Sequence, residues 1–249
     1  MSMLDRISHW FAGERYACPM CGQRCRDDSP RLVPVRHPRP RRILQALCGT
    51  CRSDIPWITH PLCLVCGRAE TCGDCARRKA RQFEACRCAV RYDERMRDWL
   101  ARYKYRGNER LAPILAAMLA YAFESRYAVM SIATITSVPL SPERLRERGF
   151  NQSERLAELI SEWYGIPYMP MLRRIRHTEK QSLKTRRNRV IDMRGNFESM
   201  KEKSPSTYRS GNFLLLDDVY TTGSTIDECA RIIRGAHPDA RIYGLAWAR

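Results

Sequence analysis

The chain has 249 residues, with 44 Lys and Arg against 27 Asp and Glu, a net charge of +17 and 44% hydrophobic residues. That length holds one large domain or a small one joined to a medium one, and the hydrophobic fraction excludes a disordered chain. Every apolar run falls short of the roughly 20 residues a membrane helix needs, so no membrane insertion is expected.

The first stretch, Met1 to Trp10, lacks a basic region followed by a long apolar core. No export signal is therefore expected, and the cytoplasm is the expected compartment. Twelve cysteines in such a setting point to metal ligands rather than disulfides. Eleven of them lie between Cys18 and Cys88, with only Cys229 beyond. This crowding divides the chain into a cysteine-rich module, residues 1–85, and an α/β remainder, residues 86–249.

Four Cys-x-x-Cys pairs follow one another: Cys18/Cys21, Cys48/Cys51, Cys63/Cys66 and Cys72/Cys75. Two intervening residues let both thiolates of a pair reach one tetrahedral ion from a single turn, so structural zinc is expected. Gly22 and Gly67 directly follow the second cysteine of their pairs, where such a knuckle needs a positive φ. Sequential pairing gives one ion to Cys18, Cys21, Cys48 and Cys51 and another to Cys63, Cys66, Cys72 and Cys75. An interleaved cross-brace suits the same spacing, although the short gap between Cys66 and Cys72 favours sequential closure of the second site. Cys25, Cys86 and Cys88 are expected to be bystanders. The prolines of Arg36–Arg42 read as an exposed extended loop.

From Cys86 onward helices and strands alternate. A strand opens at Cys86; helices are expected over Arg95–Tyr105, Arg110–Tyr127, Asn151–Tyr164 and Ser224–Arg234, and strands over Ser131–Leu140, Phe213–Leu216 and Arg241–Ala248. The alternation predicts a largely parallel sheet flanked by helices. Charge is uneven along this part. Arg173 to Arg194 holds nine Lys and Arg against Glu179 and Asp192, whereas residues 204–249 balance at five and five. The middle stretch is thus either a solvated face or a contact for phosphates.

The most informative segment is Phe213-Leu-Leu-Leu-Asp217-Asp218-Val-Tyr-Thr221-Thr222-Gly223-Ser224-Thr225. Four apolar residues bring the chain to the carboxyl end of a strand, where open α/β sheets bind ligands. Two acids follow, then a small hydroxyl-rich loop that feeds a helix N-terminus and can cradle a phosphate. It is not a Walker loop, because Gly223 is not followed by Lys. Adjacent carboxylates beside a phosphate loop suit a sugar cis-diol, with a divalent cation nearby.

This segment resembles the phosphoribosyl-pyrophosphate (PRPP) motif of type I phosphoribosyltransferases. Pro139-Leu-Ser-Pro-Glu-Arg144-Leu-Arg146-Glu-Arg148-Gly149-Phe150-Asn151-Gln152, the run from Thr178 through Arg189 to Phe197, the cysteine module and Pro56-Trp57 together resemble the ComF competence-protein family. The resemblance implies a type I phosphoribosyltransferase-like fold. It implies that Asp217 and Asp218 hold the ribose hydroxyls and that Thr221, Thr222, Gly223, Ser224 and Thr225 wrap the 5′-phosphate, with Mg²⁺ accompanying PRPP. On that reading Arg144, Arg146 and Arg148 of a 139–149 loop, and Lys180, Arg186, Arg187 and Arg189 of a hood, meet pyrophosphate. The family further implies cytoplasmic handling of incoming single-stranded DNA in natural transformation, with a DNA helicase and a recombination mediator as partners. The alternative is phosphoribosyl transfer to an unidentified nucleobase-like acceptor. The net charge, the zinc knuckles and the tyrosines interleaved with Lys and Arg at Tyr103–Arg106 suit single-strand contacts.

Overall fold

The computed structural model describes residues 17–25, 32–78, 80–105, 108–175, 195–200 and 210–249. In chain order they form α1 (Pro38–Gln45), α2 (Gly49–Ser53), α3 (Gly73–Arg77), β1 (Cys86–Val90), α4 (Glu94–Tyr105) and α5 (Ala112–Arg126). There follow β2 (Ile132–Ser137), α6 (Pro142–Arg148), α7 (Gln152–Tyr164), β3 (Leu172–Arg174), β4 (Phe197–Ser199), β5 (Ser210–Val219), α8 (Ser224–Ala236) and β6 (Asp239–Ala248). Four strands make a parallel sheet in the order β1-β6-β5-β2, while β3 and β4 form a separate antiparallel ribbon. The expected fold class is what the chain adopts: a parallel sheet flanked by helices, preceded by a cysteine-rich module.

Side chains alternate across the central strand as its period of two requires. Phe213 and Leu215 of β5 pack with Ile226, Cys229 and Ile233 of α8, with Leu172 and Phe197 of the ribbon, and with Cys66. Leu214 and Leu216 point the other way, into a core shared with α5 and α7 that also takes in Cys18, Cys48 and Cys51. The two cysteine groups thus pack on opposite faces of one sheet. The helix α5 is buried on nearly every side, and its Ala116, Ala117 and Ala120 are small enough to let its neighbours approach closely.

Two segments differ from their sequence reading. The Arg36–Arg42 stretch is not an extended loop, because α1 begins at Pro38. Its two prolines occupy the first and third helical positions, where a backbone N–H has no intrahelical acceptor, so the missing donors cost nothing. His37 caps this helix, its Nδ1 accepting from the Arg39 N–H at 3.3 Å. Residues 142–148 are not a loop either. Ser141 caps α6 by accepting the Arg144 N–H at 3.4 Å, and Gly149 ends it in the left-handed region.

Candidate functional site

The cavity that matters lies at the carboxyl end of β5. It measures about 250 Å³ and is lined by Lys104, Val138, Pro139, Leu140, Arg144, Arg148, Ser153, Arg174, Asp217, Asp218, Val219, Thr221 and Thr225. Hydrogen bonding between β5 and its neighbours β2 and β6 carries Asp217 and Asp218 to the sheet end. The Asp218 N–H donates to Asp217 Oδ1 at 2.8 Å, and the Ser153 hydroxyl donates to the same oxygen at 3.4 Å. Lys104 Nζ stands 2.6 Å from Asp218 Oδ2 in a half-buried ion pair. Burial, and then the charge of Asp218, push the Asp217 carboxyl up to about 7 against the Asp218 N–H, Lys104 and Ser153. Near neutrality the Asp217 carboxyl is therefore only partly ionised, and its oxygens still accept hydroxyl donors.

Past the acids, Gly223 takes φ 79° and N-caps α8 without a side-chain acceptor of its own. A Cβ here would run into the Tyr220 hydroxyl, so both the conformation and the space demand glycine. Thr222 Oγ1 and Ser224 Oγ are 2.8 Å apart, and the Ser224 N–H donates to Thr222 Oγ1 at 3.4 Å. Of the loop residues Thr221 and Thr225 line the cavity, beside the positive end of a 13-residue helix, while Thr222 and Ser224 bond to each other.

Across the cavity the wall is basic. Because residues 142–148 are helical, Arg144 and Arg148 stand one turn apart on the cavity side, while Arg146 Nε turns back to the Pro142 carbonyl at 3.4 Å. Arg148 donates to the buried Gln152 Oε1 at 2.7 Å. The Asn151 side chain caps α7 and also donates to the Val138 carbonyl at 3.2 Å, tying this helix to the end of β2. Burial and the neighbouring Arg144 charge hold the Arg174 guanidinium below its usual range. A multiply charged anion between them would relieve that crowding.

Sequence reasoning missed Ser153 and the cavity role of Lys104, and it reached Arg174 only as one cation of the Arg173–Arg194 stretch. Lys104 was noticed only inside the Tyr103–Arg106 run, and there the structure corrects the reading. Tyr103 is fully buried on the apolar stripe of Met96, Trp99 and Leu100, its hydroxyl donating to the Gln152 carbonyl at 3.2 Å. A helical period of three and four carries it inward, so it offers no face for a base to stack on. Lys180, Arg186, Arg187 and Arg189 lie outside the described residues.

The cysteines gather as sequential pairing requires. Cys18, Cys21, Cys48 and Cys51 bring four thiols within 4.8 Å of one another, and so do Cys63, Cys66, Cys72 and Cys75. Gly22 and Gly67 adopt φ 77° and 69°. Cys25, Cys86 and Cys88 are buried outside both groups. In the first group burial resists ionisation of Cys18, yet backbone N–H donors led by that of Cys48 outweigh it and bring the thiol to about 7. Burial and that same Cys18 charge then push Cys51 far up. The second group repeats the contrast, with Cys72 at about 6 and Cys75 at about 11. Four thiolates cannot coexist at such distances without a cation, and the donor set of each group fits Zn²⁺. Either group could hold one ion.

No protein-family model matches the chain. Curated relatives do: it is 29% identical over 198 residues to the competence protein ComFC of Bacillus subtilis (strain 168), covering 76% of this chain and 78% of that one. It is 27% identical over 212 residues to competence protein F of Haemophilus influenzae, covering 81% and 90%. The DNA utilization protein YhgH of Salmonella typhimurium is 26% identical over 209 residues, covering 75% and 90%. Among solved structures, the adenine phosphoribosyltransferase of Saccharomyces cerevisiae aligns with 57% of this chain and 72% of its own, at 16% identity and a TM-score of 0.35. Over three-quarters or more of its length, the chain is a sequence relative of the ComFC and competence protein F proteins.

Proposed function

We propose that the chain binds PRPP with Mg²⁺ in the cavity below Asp217 and Asp218 and serves, in the cytoplasm, to handle single-stranded DNA in a competence pathway. One observation carries the ligand half: an acid pair, a helix-opening hydroxyl loop and a basic wall close around a single small cavity. The carboxylates accept the ribose hydroxyls, the loop amides receive the 5′-phosphate, and Arg144, Arg148 and Arg174 face the pyrophosphate. Mg²⁺ supplies charge neutralisation at the pyrophosphate oxygens. The relatives named for competence and for DNA utilisation support the DNA half, as does a net charge of +17. A DNA helicase and a recombination mediator are the partner classes that this reading implies.

Binding is favoured over transfer to a base because no lining residue of the cavity is aromatic, so no side chain among the described ones stacks an acceptor there. Calorimetry with PRPP and Mg²⁺ tests the ligand half. Wild type should bind at micromolar concentration, and Asp217→Asn with Asp218→Asn should weaken binding roughly 100-fold, since each charged hydrogen bond is worth about 1.5–3 kcal/mol. A wild type indifferent to millimolar PRPP overturns the reading. Pyrophosphate release across a panel of bases, with and without single-stranded DNA, separates a ligand-regulated DNA factor from a phosphoribosyltransferase. Steady release with one base would make the chain an enzyme.

A further inference from the structure

The second cysteine group lies against the back of the phosphate loop, and two arginines join them. Arg249 donates through Nη1 to the Thr221 carbonyl at 3.1 Å and through Nη2 to Cys72 Sγ at 3.8 Å. Its guanidinium sits 4.5 Å from the centre of the Tyr220 ring, the ring whose hydroxyl fills the space beneath Gly223. Arg78, just past α3, donates to the Thr222 carbonyl at 2.7 Å and pairs with Asp227 on the first turn of α8 at 3.5 Å. The group is itself fixed to the sheet: the Cys86 N–H donates to the Val65 carbonyl at 2.6 Å, and Arg87 to the Leu64 carbonyl at 3.0 Å.

We propose that the Cys63/Cys66/Cys72/Cys75 group is a positioning element for the phosphate loop, so that metal held by these thiols and phosphate held by residues 221–225 strengthen each other. The reason lies in the planar trans peptide, whose C=O and following N–H point in opposite directions. Arginines that pin the Thr221 and Thr222 carbonyls toward the cysteines thereby turn the N–H groups of Thr222 and Gly223 away from them. Arg249 can hold the first carbonyl only while Cys72 is kept in place, and Arg78 the second only while α3 stays folded on its cysteines. A thiolate also strengthens the bond from Arg249, since its partner then carries charge. Arg249 is thus a positioning residue that connects one site to the other. The first cysteine group lies on the opposite face of the sheet and has no part in this connection.

The ligand half of this inference rests on the PRPP reading, and the experiment keeps the two apart. Full-length, zinc-loaded protein is compared with Cys63→Ser, with Cys21→Ser as the control on the first group, and with Arg249→Gln, which leaves all eight thiols intact. Hydrogen exchange of the amides of residues 221–225, measured without ligand, should speed up in Cys63→Ser and Arg249→Gln but not in Cys21→Ser. Arg249→Lys, which keeps the charge but cannot span both partners, should recover only part of the protection. PRPP at saturating concentration should tighten the zinc affinity of the second group about tenfold in equilibrium competition with a chelator, and this gain should vanish in Arg249→Gln, because coupling between two sites is reciprocal. Unchanged loop exchange in both Cys63→Ser and Arg249→Gln overturns the inference, as does a full PRPP effect on zinc in Arg249→Gln. Should wild type not bind PRPP, the functional reading falls, and loop exchange alone decides the connection.

Discussion

At the scale of single residues, Asp217 makes the sharpest claim. Burial and the Asp218 charge raise its carboxyl from 3.8 to about 7. Between those values the folded chain keeps a proton that the unfolded chain has released. The stability this proton contributes is complete below pH 3.8 and is lost as pH rises through about 7. Asp217→Asn has no such proton to lose. Its melting temperature should therefore draw ahead of wild type by a few degrees between about pH 5.5 and pH 8, with the two nearest each other at the acid end. Thermal melts across that range check it, and parallel curves would return Asp217 to an ordinary carboxylate. Lys104→Met should widen the gap between Asp217→Asn and wild type when both carry it, because Lys104 opposes the upward shift. Gly223→Val should abolish PRPP binding, since its Cβ falls on the buried Tyr220 ring, and calorimetry with PRPP measures the loss.

What could be read in the sequence at this scale follows from how far apart the cooperating residues stand. The acid pair, the loop and the helix start are contiguous, so their chemistry was visible in one segment. Cys-x-x-Cys spacing is equally local. Lys104 and Ser153 reach the cavity from separate helices and nothing beside them marks that destination, while Arg174 belongs to the basic Arg173–Arg194 stretch, whose composition does not say which of its nine cations faces the cavity. Choosing among Arg144, Arg146 and Arg148 required knowing that the segment is a helix, because only then do residues four apart share a side.

Among elements, α1 shows how proline content misleads. Closely spaced prolines argue against helix only in its interior, and both Pro38 and Pro40 fall in the first turn. The start of α1 is fixed from outside by Glu124 of α5. That carboxylate accepts the Arg36 N–H at 2.7 Å, the His37 N–H at 2.8 Å and the Tyr164 hydroxyl of α7 at 2.7 Å. Three elements therefore meet at one buried acid. Glu124→Gln keeps the shape but turns an NH₂ toward donors, which should cost about 2 kcal/mol, or roughly 4–8 °C in melting temperature. Differential scanning calorimetry measures it, and a shift under about one degree would mean that packing alone holds α1.

For the molecule as a whole, the cysteine-rich segment is not a detached appendage. Its first group shares the core of α5 and α7, and its second covers the α8 side of the same sheet. Metal removal should consequently lower the melting temperature of the entire chain rather than release one module. Cys21→Ser and Cys63→Ser should each do so, with near- and far-ultraviolet circular dichroism falling in a single coincident transition. Two separated transitions would show that residues 1–85 fold apart.

The strand order carries a consequence for how the protein is made. Cys86 of β1 takes its place beside Gly244 of β6, so the sheet cannot close until nearly all of the intervening chain has been synthesised. At about 5–20 residues per second, the thiols of Cys63, Cys66, Cys72 and Cys75 leave the ribosome many seconds ahead of β6 and Arg249. During that interval nothing from the rest of the fold shields them, and they can react with one another or with oxidants. Only a bound metal ion or a reducing medium protects them until the last strand arrives. Zinc-starved cells challenged with a thiol oxidant should accordingly accumulate this chain cross-linked and insoluble, which non-reducing gels would show, whereas zinc-replete cells under the same challenge should not.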